Sequence, residues 1–520
     1  MRARLVYMLV AVMALLASCI KNDVPYPRIQ ANFKTFVAEG QEKAALIDST
    51  NCIVTLYFDE MADLSNITVQ EYSITPGATV EGDALTGVLN LTKPIKVNLH
   101  IYQSWTWTIC AEQNIERYFS VTGQIGTSYI DVPARRIVVY ISDKIDLSKV
   151  YVEHAKLGPA GAIITPELEG HTIDLSRPLE VTVEAFGKVE IWNIFAEQTS
   201  LSVTTAGVDA WTNVAWVRGQ AEAGHDNGFD YREAGTEEWI RVDAADVEHN
   251  GGDFSARIIH LLPQTTYEVR AYSDEDLGEV LSFTTGSIVQ LPNSGIDDWW
   301  LDDKVWCPWA EGDTPYWDTG NKGATTIGAS NSVPTDDTAT GRGKAAMLET
   351  KFVGLGVLGK LAAGNLFVGE YYKTDGTNGI LHFGREFTER PTKLRGYLKY
   401  KTAPIDYTSS GFEHLAGRPD TCIVWCALID QNSPFEIRTN PRNRQLFDPN
   451  GSYVVAYGSV QYGEDVNQYT QFEVELEYKS TSRVPKYILV TASASKYGDY
   501  FTGGTGAVLY LDELELLYDY

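Results

Sequence analysis

The chain reads as an all-β protein, several sandwiches in series, and three observations predict it. Short runs of alternating apolar and polar residues, such as Ile53-Val54-Thr55-Leu56-Tyr57-Phe58 and Ile137-Val138-Val139-Tyr140-Ile141, recur between clusters of Gly, Pro and Asp. A block of about 85 residues occurs twice in tandem. The 12 Trp and 29 Tyr supply flat amphipathic rings that suit both sandwich cores and the faces of sugars. At 520 residues, the length implies roughly three or four domains, each burying its own core.

The first segment carries an address. Arg2 and Arg4 precede an apolar run from Leu5 to Leu16 that is too short to span a membrane comfortably, the pattern of a secretory signal over residues 1–18. The run ends in Leu16-Ala17-Ser18-Cys19, which resembles the bacterial lipoprotein box and implies a lipid on Cys19 after cleavage. An exported protein follows, anchored in the outer membrane at the cell surface, with other outer-membrane proteins as candidate partners. Residues 19–30 hold Pro25 and Pro27, lack periodicity, and read as a tether.

Charge narrows the partners. The net charge is −27, and loss of Arg2 and Arg4 with the signal makes it about −29. Such a polyanion repels nucleic acid and anionic surfaces and leaves neutral, hydroxyl-rich ligands unaffected. With Cys19 lipidated, an odd number of cysteines remains, so at least one thiol is free or pairs between chains. Cys52 and Cys110 are placed to bridge two strands of one sandwich, but the second repeat has Arg135 and Phe195 there, so the module does not need the bridge. Cys422 and Cys426 lie about 13 Å apart on an extended chain, too far for a mutual disulfide. No CxxC pair exists and no zinc site is expected.

The repeat covers 31–113 and 114–198. Asp63-Leu64-Ser65 recurs as Asp146-Leu147-Ser148, Leu91-Thr92-Lys93-Pro94 as Leu175-Ser176-Arg177-Pro178, and Trp107-Thr108-Ile109-Cys110-Ala111-Glu112-Gln113 as Trp192-Asn193-Ile194-Phe195-Ala196-Glu197-Gln198. Two small antiparallel Ig-like sandwiches are expected, with Trp107 and Trp192 as core anchors because they recur in register.

Residues 199–286 follow a different pattern. The segment Leu262-Pro263-Gln264-Thr265-Thr266-Tyr267-Glu268-Val269-Arg270-Ala271-Tyr272 resembles the E to F corner of fibronectin type III domains, with Leu281-Ser282-Phe283-Thr284-Thr285 as the closing strand. Tyr267, Val269 and Ala271 alternate inward, and Tyr267 is placed to bond back to the corner backbone. Trp216 and Trp239 are expected in or over that core.

Residues 287–520 are Trp-rich and Gly-rich. Trp317-Asp318-Thr319-Gly320-Asn321, Thr340-Gly341-Arg342-Gly343-Lys344, Ala363-Gly364-Asn365-Leu366-Phe367, Arg390-Pro391-Thr392-Lys393-Leu394 and Phe501-Thr502-Gly503-Gly504 together resemble the PCMD family of Bacteroidota lipoproteins, named for a putative role in carbohydrate metabolism. The resemblance implies a jelly-roll sandwich akin to galactose-binding-like and other carbohydrate-binding modules, and a place in glycan capture or utilisation. In such a jelly roll the first and last strands lie side by side, which would bring Asp297 to Asp512. Related sugar-binding jelly rolls carry a structural calcium there, and paired hard carboxylates suit it; the alternative is acidic residues on exposed edges, deterring strand addition.

Sugar binding needs an aromatic face and polar groups for the hydroxyls. Trp299, Trp300, Trp306, Trp309, Tyr316 and Trp317 crowd one short segment. Trp309 and Trp317 are the candidates for stacking, and Asp318, Asn321 and Arg342 for hydrogen bonds; the alternative is that these aromatics seal the interface with the preceding module. Three functions stay open: non-catalytic binding of an oligo- or polysaccharide, a structural or adhesive role in the envelope, and a glycoside hydrolase built on two carboxylates. No nucleophile elbow or HExxH is present.

Overall fold

In a computed structural model of the chain, the described residues are 30–520 apart from 327, 355–358 and 377. The expected signal, Cys19 and the tether up to residue 29 lie outside the described residues. Strand is the dominant regular structure of the described part, with only short helical turns, as an all-β reading requires. Contacts divide it into two units: one runs to Gln124 and resumes over Ser128–Thr199, the other holds Ile125–Thr127 and Ser200–Tyr520.

The first unit contains both repeats, each with its own core. The strand order Gln41–Asp48, Ile53–Phe58, Gln103–Gln113, Ile95–Ile101, Thr79–Val80 in the first is matched in the second by Tyr129–Asp131, Arg136–Ser142, Lys188–Thr199, Leu179–Ala185, Ile163–Thr165. Trp107 and Trp192 are both fully buried at its centre. The sheets are mixed rather than purely antiparallel. Ile53–Phe58 runs parallel to Gln103–Gln113, and Arg136–Ser142 parallel to Lys188–Thr199. A parallel pair needs a long crossover, which the first repeat supplies by sending the chain through the opposite sheet at Ile67–Ile74.

Equivalent positions do equivalent physical work. Asp63 and Asp146 each accept a hydrogen bond from the backbone N–H and the hydroxyl of the serine two residues on, fixing the same turn. Cys52 and Arg135 both adopt left-handed backbone, φ 56° and 50°, and the carbonyl of each accepts the N–H of Thr108 or Asn193. The conserved feature of that position is therefore a backbone corner. Cys52 and Cys110 are free thiols, and the Cys110 thiol lies 3.4 Å from the Thr55 hydroxyl.

In the second unit, residues 203–283 enclose a separate core around Phe229, Val269 and Ala271. The Leu262 N–H donates to Tyr267 Oη at 3.0 Å, so the tyrosine closes the corner as its spacing suggested. Trp239 lies outside that core, stacked under the Arg232 and Arg270 guanidiniums at 4.4 and 4.1 Å. Trp216 instead joins Trp211 at the junction with the C-terminal domain. Trp211 is buried against Tyr478 (ring centroids 4.2 Å) and Tyr520 (5.1 Å), with its indole N–H donating to the Thr481 carbonyl at 2.9 Å.

The C-terminal domain is a two-sheet sandwich. One sheet runs in the order Phe435–Arg438, Asn378–Phe383, Asn365–Asp375, Tyr487–Ser493, Cys422–Ile429, Val454–Tyr462, Glu477–Tyr478; the other runs Ser332–Thr335, Ala345–Glu349, Val508–Leu517, Lys393–Lys401, Val466–Glu475. The main core fills the space between them, and Cys422, Val424 and Cys426 point into it. Burial pushes the Cys422 thiol up to about 12, so this buried sulfur behaves as an inert core atom. Asn293–Trp299 is not a strand. It lies along the last strand as a loop, held where the Leu514 N–H meets the Ser294 carbonyl.

Candidate functional site

The outer face of the larger sheet carries a second, smaller apolar cluster, and beside it opens a cleft of about 250 Å³. Its floor follows from strand alternation. In Cys422–Ile429, even-numbered side chains face the main core, so Ile423 and Trp425 face the other way. Trp425 stands opposite Thr491, and Thr491 opposite Phe367; one step along, Ile423 and Asn365 flank Ser493. Three strands make the floor about 10 Å across. Trp425 is half-buried and lies flat on Phe447, centroids 4.9 Å apart and planes 11° apart, which fixes its tilt.

Polar groups line the walls. Asn331, Asn365, Asn378, Thr439, Ser493 and Lys496 contribute to the lining, with Asp499 as the carboxyl. Among the described residues two polar atoms there find no partner, Thr491 Oγ1 and Asn331 Oδ1, although both residues are more than nine-tenths buried. Desolvation raises the Asp499 carboxyl to about 6, against a smaller opposing pull from Arg444. Lys360 donates to Asn378 Oδ1 at 2.7 Å and sits 4.4 Å over the Phe501 ring.

A buried acid pins the wall that carries Asp499. Asp420 accepts from Ser495 Oγ at 2.5 Å, the Gly504 N–H at 2.6 Å and the Thr421 N–H at 2.7 Å, tying both ends of the 495–504 loop to the sheet. Burial raises its pKa, and these donors pull it back. Within the loop, Phe501 adopts a left-handed φ of 54° that ends the turn Gly498–Tyr500.

The residues singled out from sequence do not form this site. Trp317 is buried, its indole N–H donating to the Pro292 carbonyl at 2.7 Å, so no ring face is open to a sugar. Asp318 is buried and accepts from the Tyr371 N–H at 2.8 Å and Lys322 Nζ at 2.9 Å. Asn321 is fully buried, with its amide donating to the Trp306 and Ser332 carbonyls and accepting from the Asn331 and Ser332 N–H groups. Trp317 belongs to the sandwich core, and Asp318 and Asn321 are braces beneath the cleft wall, fixing the turn Asn321–Ala324 to the neighbouring strands. Trp309 is half-buried with Lys322 Nζ 5.8 Å from its ring, and Arg342 is exposed on the 336–344 loop; neither lines the cleft. None of the six crowded aromatics does, and among the described residues the ring contacts at the junction with the preceding module are those of Trp211 and Trp216 with Tyr478 and Tyr520. Trp299 and Tyr316 pack on the sandwich core instead.

Asp297 and Asp512 do come within electrostatic reach of each other. Burial raises Asp512 to about 6, and the Glu513 and Asp297 charges push the same way. Asp512 accepts the Ala339 and Glu513 N–H groups, and Asp297 the Lys344 N–H. The hard oxygen donors fit calcium by type. Among the described residues no three His, Cys, Asp or Glu side chains are grouped to hold a metal, so main-chain or water oxygens would have to complete a shell.

Comparison with known proteins accords with this architecture. Residues 297–517 match the family model described as Putative carbohydrate metabolism domain, PCMD. No curated protein matches the chain. Among solved structures, a putative glycoside hydrolase from Bacteroides thetaiotaomicron is 18% identical with a TM-score of 0.31, covering 77% of this chain and 95% of its own. A second, from Bacteroides vulgatus, is 22% identical with a TM-score of 0.32, covering 44% and 95%. At these scores neither carries an argument about the site. The family match and the sandwich around the cleft together identify residues 297–517 as a domain of the PCMD family, with a carbohydrate-related function.

Proposed function

We propose that this protein is a cell-surface lipoprotein, anchored through Cys19, that binds an oligo- or polysaccharide without catalysis in the cleft over Trp425. One observation carries the reading: an aromatic face on a rigid sheet, ringed by amide and hydroxyl groups of which Thr491 Oγ1 and Asn331 Oδ1 lack partners. A pyranose presents an apolar face to such a ring and its hydroxyls to such a rim. Glycan capture at the outer membrane gives the export signal and the anchor a purpose.

Asp499 supports a second reading, a glycosidase, because a carboxyl raised to about 6 is suited to donate a proton. That mechanism needs a second carboxyl about 5–10 Å away. Among the described residues Asp499 is the one acidic side chain lining the cleft, which favours binding. Calorimetric titration of the intact chain against a glycan panel, with reducing-end release assayed in parallel, separates the two: heat of binding without new reducing ends is the expected result. Reducing ends released by the wild type and lost in Asp499→Asn would replace binding by hydrolysis.

A further inference from the structure

The charged side chains of the cleft differ from those around it. Elsewhere in the domain Lys322, Lys344, Lys351, Lys393 and Lys399 each hold a carboxylate. The lysines that hold none among the described residues, Lys304, Lys373, Lys401, Lys479 and Lys486, are exposed to solvent, whereas Lys360 and Lys496 are half-buried. Lys360 and Lys496 line the cleft, and among the described residues neither has an acidic partner within ion-pair distance. Lys360 donates to the Asn378 amide oxygen and sits over the Phe501 ring, and Lys496 lies 5.3 Å from the Tyr497 ring. Arg444 adds a third cation behind the wall. Its guanidinium lies 4.7 Å over the Tyr500 ring, its buried Nε has no hydrogen-bond partner, and its charge lowers the pKa of Lys360 further than burial alone. Among the described residues lining the cleft, Asp499 is the one acidic group to set against these, and the cleft itself favours its protonated form.

Cations lining one cleft without a salt-bridged carboxylate among the described residues, in a chain of net charge −27, point to an anion that arrives from outside. The overall charge does not oppose this. Exposed carboxylates more than about 8 Å away are screened at physiological salt, whereas groups in contact inside a cleft are not. We propose, building on the reading of the cleft as a carbohydrate site, that its sugar is acidic: a glycan whose carboxylate or sulfate is met by Lys360 and Lys496 while a ring packs on Trp425.

Two matched pairs of probes test this on the intact chain by calorimetric titration. One pair is oligogalacturonate and its methyl ester, which differ by the charge and one methyl group on each carboxyl; the other is dextran sulfate and dextran. The acidic member of at least one pair should bind about tenfold tighter than its neutral partner, the discrimination of one charge-assisted hydrogen bond. The pair that discriminates tells carboxylate from sulfate. That advantage should vanish in a Lys360→Met, Lys496→Met double variant shown by circular dichroism to be folded, and it should persist or grow in Asp499→Asn. Equal binding of both members of both pairs overturns the acidic preference and leaves the carbohydrate reading standing. Failure of the four probes and of a neutral glycan panel to bind overturns both.

Discussion

Trp425 and Thr491 face each other across neighbouring antiparallel strands, one presenting a ring and the other a hydroxyl without a protein partner to the same side of the sheet. The opposite side of both strands is main core, where Cys426 and Val490 lie in register. One sheet thus serves stability on one face and recognition on the other, and substitutions on the two faces should have different consequences.

Trp425→Ala should weaken glycan binding at least about tenfold, since truncating a desolvated aromatic anchor costs about 2 kcal/mol or more. Trp317→Ala should act through stability, costing about 3–5 kcal/mol as a buried aromatic cavity. Urea denaturation beside calorimetry distinguishes the two. Equal destabilisation by both would show that the Trp425 face belongs to the core.

Tyr267→Phe removes the acceptor of the Leu262 N–H and leaves the packing intact. About 1–1.5 kcal/mol of stability should be lost, read as a lower urea midpoint at unchanged slope. No loss would mean that water replaces the phenol without cost.

Trp211→Ala should loosen the junction between the third module and the C-terminal domain, since it removes the ring between Tyr478 and Tyr520 and the bond to Thr481. Limited proteolysis should then cut near residues 284–290, where the wild type resists. Identical digestion of both forms would count against a fixed junction.

Asp512 gives the pH dependence its sign. Its carboxyl is raised in the folded state to about 6, so protonation favours folding: the contribution is fully present below about pH 4 and is lost as pH rises through 6. In EDTA, melting of the wild type should fall across that window, and Asp297→Asn should fall less because one repelling charge is gone. We further propose that calcium at this pair relieves the same repulsion. Millimolar calcium at pH 7.5 should then raise the melting temperature, with EDTA reversing the gain, and an unchanged melting temperature would remove the ion from the account.

What the sequence made legible was local and periodic. The repeat, the tryptophan anchors and the tyrosine corner all follow from spacing within one or two strands, and the structure places them as spacing suggests. The parallel pairs were hidden because parallel pairing depends on where a long crossover returns, which alternation does not report. The cleft was hidden for another reason: aromatic density drew attention to residues 299–317, where rings fill the end of a core. A signal was nonetheless present in Thr421-Cys422-Ile423-Val424-Trp425-Cys426-Ala427. Apolar residues there occupy both faces, and with Cys422 and Cys426 inward, Trp425 had to lie on the other side. Asn365, Trp425 and Asp499 come from segments far apart in the chain, and only the sheet order brings them to one cleft.

Titration of the intact chain with a bound glycan, comparing Trp425→Ala with Trp309→Ala, tests the central claim most directly, because the two tryptophans stand for the site in the structure and the site read from sequence. Binding lost in Trp425→Ala and kept in Trp309→Ala is the result this account predicts. Binding kept in Trp425→Ala and lost in Trp309→Ala would contradict it.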